Sequence, residues 1–328
     1  LAALAGGLAG WGGYALVAGV PAGAFAGVVA AWLLQRAARG VAWDFKVIRP
    51  MISFGSQVSA RQGIVLARDL TFVGLIAAIG GQSAAGFYAM SQRILGVPLA
   101  FSLAMGRVGF SAMARSDGDA VRIHSAARSV AIAATAIGLP LAVCAGAAEP
   151  LLDTLFGSRW IPAADVVIPS AAGLLLMASF GSIISGLYFS LGNARLPMVS
   201  SIVDSLVLCG SAVILIQWNS TTGTGIAVLL GALAGILVLA SKAASSVRWS
   251  MLPLFRSFVI ASLAAGAGLF CPVQTGITGL IACAAAATVV WLVLTAIFAR
   301  TELKTIVGLV LKGLRRVPAN EVPAGPAV

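Results

Sequence analysis

Apolar residues run through this chain in blocks of about 20, and most polar residues fall between the blocks. A helix of that length crosses a hydrocarbon core of about 30 Å at 1.5 Å per residue. The first block, Leu1 to Gln35, carries no charge and is too long for one crossing. The glycines from Gly10 to Gly13 around Trp11 break it into the tail of one helix and a full span over 14–34. Further spans are predicted over 52–79, 84–109, 126–148, 164–190, 197–217, 224–245, 254–271 and 276–299, nine in all. Beyond Arg300, Leu303, Ile306, Val307, Val310 and Leu314 share one helical face and Lys304, Lys312 and Arg315 the other, as in a helix lying on the cytoplasmic leaflet. Pro318, Pro323 and Pro326 mark a disordered tail. The pattern is that of an all-α, polytopic transmembrane helical bundle.

The count is tested by the basic residues, which concentrate on the cytoplasmic loops of a membrane protein. Seventeen of the 21 Lys and Arg, from Arg36 to Arg316, fall on one side of the predicted spans, and Arg159 alone falls on the other. Arg61, Arg68 and Arg93 lie inside spans. A miscounted span would scramble this alternation. Trp11, Trp32, Trp160, Trp218 and Trp249 sit near span boundaries, where an indole buries its ring and keeps its N–H wet; Trp291, mid-span, is the exception. Gly19, Gly23 and Gly27, and Gly231 and Gly235, form small-xxx-small patterns that let helix backbones approach closely.

Composition narrows the class further. Sixty per cent of the residues are hydrophobic, 9% are charged, and the mean hydropathy of +1.02 is far from that of a soluble protein. The net charge of +11 would fit a nucleic-acid binder, but the basic residues are strung between hydrophobic runs and form no patch, which excludes that partner. Cys144, Cys209, Cys271 and Cys283 lie in or beside apolar runs without CxxC spacing and read as packing residues. The chain opens on Leu1 inside an apolar run with neither initiator Met nor signal-peptide pattern, and reads as a fragment missing its N-terminal portion.

Charges inside spans cost about 2.5–3.5 kcal/mol each at mid-bilayer, so each needs a partner or a hydrated cavity. At 100° per residue Gln57, Arg61 and Arg68 fall within about 40° of one another, a single polar stripe down the second span. One reading is a cavity that receives an anionic group; the other is a structural pairing of Arg68 with Asp69, or of an arginine with Asp204, or an Arg61 that snorkels to the interface. Arg93 lies near the outer interface, and Asp204, after Ser200 and Ser201, is a counter-ion or a proton carrier. Gln57, Arg61, Arg68, Asp69, Arg93 and Asp204 are the candidate substrate-binding residues.

Catalytic signals are weak. Asp117-Gly118-Asp119 has the form with which glycosyltransferases hold a divalent metal, but it occupies a short loop with no attached domain and reads as a turn and helix start. His124 is the only histidine, and no phosphate-binding glycine motif is complete. The longest outer loop runs only from about Glu149 to Ala163. No catalytic, cofactor-binding or metal residue is assigned, and the expectation is a protein that is not an enzyme.

Three stretches carry a family resemblance: Phe54-Gly55 with Arg68-Asp69 and Gly86-Phe87-Tyr88-Ala89 through Arg93 to Pro98; Leu155-Phe156-Gly157-Ser158-Arg159-Trp160-Ile161-Pro162-Ala163-Ala164; and Leu191-Gly192-Asn193-Ala194-Arg195. Over about residues 10–250 the chain resembles the polysaccharide flippases, which export lipid-linked oligosaccharide and are related to the O-antigen and lipid II flippases and, more distantly, to multidrug and toxin extruders. Ala67 stands where many members carry a polar residue. The resemblance implies two six-helix lobes around a cavity. Residues 1–35 would then end a truncated first lobe, 36–50 form a cytoplasmic linker, 51–250 the second lobe, 251–300 an extra helix pair, and 301–328 the cytoplasmic helix and tail.

The implied function is translocation of undecaprenyl-pyrophosphate-linked repeat units across a bacterial inner membrane by alternating access, for lipopolysaccharide or exopolysaccharide synthesis. Arg61 and Arg68 would attract the pyrophosphate. Outward passage of an anion gains about 2.3 kcal/mol per charge per 100 mV of negative-inside potential, so a separate ATPase is unnecessary. Expected partners are the lipid-linked substrate, membrane lipids, and polysaccharide polymerase and assembly proteins; no cofactor is expected. The rivals are a cation-coupled small-molecule extruder, expected to carry acidic groups in its cavity, and a membrane-embedded glycosyltransferase or polymerase using Asp117 and Asp119.

Overall fold

In a computed structural model the protein is described at Gly23, 25–30, Leu33, 45–114, 118–242, 251–272 and 276–315, with the side chains of 46, 47, 50, 101–114, 119, 242, 251 and 309–315 outside that description. It divides into two compact units, residues 1–53 and 54–328. In the first, the described residues are helical. The predicted span 14–34, the glycine break before it, Trp11, Trp32, Trp249, Asp117 and the tail beyond Arg315 lie wholly or mostly outside the described residues.

Helix α1 runs Phe45–Leu75 and ends in a π-turn at Ile76–Gly80; α2 runs Gly81–Ala114. The apolar run Met51–Ala100 is 50 residues long, about 75 Å if straight and more than twice the hydrocarbon thickness. Gly81 resolves this with φ of 84°, a left-handed conformation closed to most side chains. The chain folds back there: Phe72 and Tyr88, eight and seven residues either side of Gly80 and Gly81, meet edge to face at 5.2 Å. One long run thus supplies two crossings.

Then come α3 (Asp119–Gly146), the short α4 (Ala148–Phe156), a 3-10 turn (Ser158–Ala163), α5 (Ala164–Leu176) with a π-turn at Met177–Gly181, and α6 (Ser182–Ser190). α7 (Arg195–Trp218), α8 (Thr222–Lys242), α9 (Met251–Leu269), α10 (Gly276–Phe298) and α11 (Arg300–Arg315) complete the chain. Seven runs among the described residues are long and apolar enough to cross a membrane. With Met51–Ala100 counted twice for its fold at Gly81, they match the last eight of the nine predicted spans. No strand occurs among the described residues, and the all-α polytopic bundle is the observed fold class.

The segment expected as the longest outer loop is largely helical, as α4 and the 3-10 turn. Glu149 and Pro150 at its start favour a helix N-terminus, by charge against the dipole and by a preset φ. Gly157, φ 88°, divides the two pieces.

Two apolar clusters hold the larger unit. The main one joins α2, α3, α5, α6, α9 and α10 around Ile137, Leu141, Phe180, Ile184 and Trp291, which explains why Trp291 is not at an interface. The smaller one joins α1, α2, α7 and α8 through Phe72, Ile76, Leu208, Ala212 and Ile216. Close helix contacts depend on glycine: a Cβ on Gly173 would approach Leu229 Cα to 3.1 Å, and one on Gly225 would approach Val166 O to 2.9 Å. Leu303 of α11 packs on the main cluster while Lys304 is exposed, and Arg256 of α9 donates to Glu302 at 2.5 Å. Cys283 is buried and Cys144, Cys209 and Cys271 are half-buried; none of the four forms a disulfide.

Candidate functional site: a charged cluster between α1, α7 and α8

Phe54, Gln57, Arg61, Ile64, Val65, Arg68 and Leu75 of α1 are half-buried, and Phe72 and, in the π-turn, Ile76 are buried, a helical stripe of spacing three and four. That face meets α7. Arg61 Nε donates to Ser201 Oγ at 3.0 Å, and its guanidinium lies 5.9 Å above the Phe189 ring, which in turn meets Phe54 edge-on at 6.2 Å. Two turns further along, Arg68 Nη1 donates to Asp204 Oδ2. The other edge of the same guanidinium donates to Asp69 Oδ1, from Nε at 3.0 Å and Nη2 at 2.8 Å.

Asp204 is almost fully buried, at 3% side-chain exposure, and its neighbourhood is built by small residues. Ser200, one turn before it, turns the other way and donates to Gly235 O of α8 at 2.8 Å. Ser201 donates back to Pro197 O at 3.0 Å and accepts from Arg61. Gly231 and Gly235, the second small-xxx-small pair, bring the α8 backbone against Asp204 itself. Three helices therefore enclose one carboxylate, with a guanidinium as its counter-ion; a buried charge of this kind is tolerated only when paired.

Beside the pair opens a cavity of about 450 Å³, lined by Arg68, Asp69, Tyr88, Gln92, Ser170, Met177, Asp204 and apolar residues of α1, α2, α5, α7 and α8. It lies between the two apolar clusters, sharing Leu95 with one and Leu208 with the other. Met177 opens the π-turn after α5, a distortion often found where a helix serves a site.

Of the six predicted site residues, the structure brings Arg61, Arg68, Asp69 and Asp204 together. Gln57 is half-buried on the same face, one turn before Arg61. Arg93 is exposed and is not a lining residue; Gln92, turned 100° from it, lines the cavity instead. The α1 arginines are not an unopposed positive charge awaiting an anion: α7 supplies Asp204, and the cluster of two arginines and two aspartates is neutral. Both readings of the arginines meet at Arg68, which is paired and also lines a cavity. Sequence reasoning missed Tyr88, Gln92 and Ser170; Tyr88 and Gln92 stand inside the first stretch of family resemblance, while Ser170 carried no signal. No cluster of metal-ligating side chains occurs among the described residues.

A family model described as polysaccharide biosynthesis protein matches residues 1–165, half of the chain. No curated protein and no solved structure matches.

Proposed function

The chain belongs to the polysaccharide biosynthesis protein family, and on that premise we propose that it is a flippase that moves lipid-linked oligosaccharide from the inner to the outer leaflet by alternating access. The coarser role, a multi-pass membrane protein of polysaccharide biosynthesis or export, follows from the family and the spanning helices. The observation that carries the finer reading is the Arg68–Asp204 pair at the wall of a 450 Å³ cavity inside an otherwise apolar bundle. Ionisable groups at this depth are expensive, face bundle interiors or watery cavities, and mark substrate or ion paths. Pockets of this volume suit a ligand of a few rings.

In this reading the carrier lipid stays in the bilayer, the bacterial inner membrane, while the glycan passes through the bundle; the chain makes and breaks no bonds. Its partners are the lipid-linked repeat unit, membrane lipids, and the polymerase and assembly proteins that take up the product. The test is surface polysaccharide output per molecule of protein for Asp69→Asn and Tyr88→Phe, introduced in the native gene. Output below the native level at normal membrane abundance supports transport through this cavity; native output in both sinks it.

A second reading, a cation-coupled extruder of small molecules, draws on the two carboxylates that line the cavity. Loss of the gene would then sensitise cells to cationic dyes and leave surface polysaccharide untouched.

A further inference from the structure

Several buried hydroxyls of this bundle are satisfied within their own helix. Thr135, Ser179, Ser201 and Thr224 each donate to the carbonyl one turn earlier, at 2.5–3.0 Å, the usual resting place for a hydroxyl in a membrane helix. Ser170 does not. It is 1% exposed, and its Oγ is among the few buried side-chain atoms with no hydrogen-bond partner among the described residues. Thr154 and Thr295 share that condition, but Ser170 is the one that lines the cavity beside Arg68 and Asp204. An orphaned buried hydroxyl carries a desolvation cost that a ligand reaching it would remove.

The charges on the cavity wall restrict that ligand. The lining residues include two carboxylates, Asp69 and Asp204, against one guanidinium, Arg68. Both edges of that guanidinium are already engaged by the carboxylates, so no fork is left for a phosphate. Arg61 is not a lining residue and is committed to Ser201 and Phe189. An anion entering here meets net negative charge. An uncharged ligand with several hydroxyls does not, and it finds an acceptor in Asp69, whose Oδ1 takes both Arg68 bonds while Oδ2 takes none among the described residues and whose side chain is 54% exposed. Tyr88 and Gln92 add an aromatic face and an amide to the same wall.

We infer that this cavity recognises an uncharged, polyhydroxylated group, the chemistry of a neutral sugar, with Ser170 as a specificity-determining contact, and that the pyrophosphate of a lipid-linked substrate is held elsewhere. The inference rests on the proposed flippase function and specifies which part of the substrate this site reads.

The experiment is saturation-transfer NMR on the purified full chain with N-acetylglucosamine, glucuronate and inorganic pyrophosphate as probes, for native protein and Ser170→Ala. N-acetylglucosamine is expected to receive transfer, glucuronate less, and pyrophosphate is not expected to displace the neutral sugar. Ser170→Ala should weaken the sugar about fivefold, the scale of one net hydrogen bond, and leave the thermal midpoint equal or higher, because removing an unsatisfied hydroxyl relieves a cost. A midpoint that falls marks Ser170 as a packing residue and overturns the assignment. So does unchanged sugar transfer in the variant, or displacement of the sugar by pyrophosphate. Saturation transfer to N-acetylglucosamine that persists undiminished in Ser170→Ala sinks this inference alone, whereas absence of transfer to both sugars from the native protein sinks the flippase reading with it.

Discussion

A Cβ added to Gly231 would stand 2.9 Å from Asp204 Oδ1 and 2.7 Å from Leu208 Cβ. The backbone of α8 is therefore the lid over the buried carboxylate, and the glycine is required by the close approach rather than by any unusual turn. Gly231→Ala should push α8 from α7 or turn Asp204 from Arg68, an overpacking cost of about 1–3 kcal/mol. Gly210, on α7, is the control, because a Cβ there would meet nothing within 4 Å: Gly210→Ala should leave thermal stability unchanged or raise it. Equal thermal midpoints for the two variants in detergent would refute the lid.

Helix α9 holds to α3 by a similar contact. A Cβ on Gly268 would lie 2.8 Å from backbone atoms of Gly146, which cannot move aside as a side chain does. Gly268→Val should separate the Leu269 end of α9 from the Gly146 end of α3 and lower the midpoint, while Gly266→Ala, in open space two residues earlier, should not. Differential scanning fluorimetry with a thiol dye reads both, since Cys144 on α3 and Cys271 after α9 lie near that end. A normal midpoint in Gly268→Val would show that the contact carries no weight.

How much of this was legible in sequence differs between spans and site for physical reasons. A crossing needs about 20 apolar residues, so span positions are written in the chain, and the stripe of Gln57, Arg61 and Arg68 follows from helical rotation alone. What the stripe faces is not written locally. Asp204 lies 136 residues from Arg68, and only packing brings it there, cancelling the positive charge that the α1 arginines carry by themselves. Ser170 was invisible because a serine in an apolar helix normally satisfies itself, as Ser179 does. The pairing of Arg68 with Asp69 was visible as adjacency, although adjacency alone does not say that one guanidinium serves two carboxylates.

Glu302 ties α11 to Arg256 of α9. Burial pushes its pKa up, but hydrogen bonds from Thr301, its own backbone and Arg256, together with the Arg256 charge, outweigh burial and hold the carboxyl below its ordinary value of 4.5. For a depressed carboxyl the stabilisation is present above the unfolded value and is lost as pH falls through the folded one. A thiol placed at Leu303, half-buried on the main cluster, should stay protected from a disulfide-exchange probe that reacts in acid at every pH above the ordinary carboxyl value of 4.5, and open only below it. Glu302→Gln should remove the pH dependence. Opening at the same pH in both proteins would assign it to another group.

The Arg68 network makes unequal demands on its three members, and this gives the sharpest prediction. Arg68 serves two carboxylates, so Arg68→Gln strands both, one of them at 3% exposure. Breaking a buried pair by removing one partner costs about 3–5 kcal/mol, and membrane abundance should fall accordingly. Asp204→Asn leaves Arg68 still paired with Asp69 and should fall less. Asp69→Asn should fall least, because Asp69 is half-exposed and Arg68 keeps its buried partner. The double variant Arg68→Gln with Asp204→Asn removes both buried charges and should recover abundance above Arg68→Gln alone, as deletion of a whole buried pair commonly does. If the arginine and Asp204 also serve transport, that double variant inserts normally but exports poorly, which separates folding from function in one protein. Quantitative blotting of membranes, with surface polysaccharide normalised to it, reads both effects. An order in which Asp69→Asn is the most damaging single change would contradict the observed pairing, and native export per molecule in the double variant would reduce the pair to a structural rivet between α1 and α7.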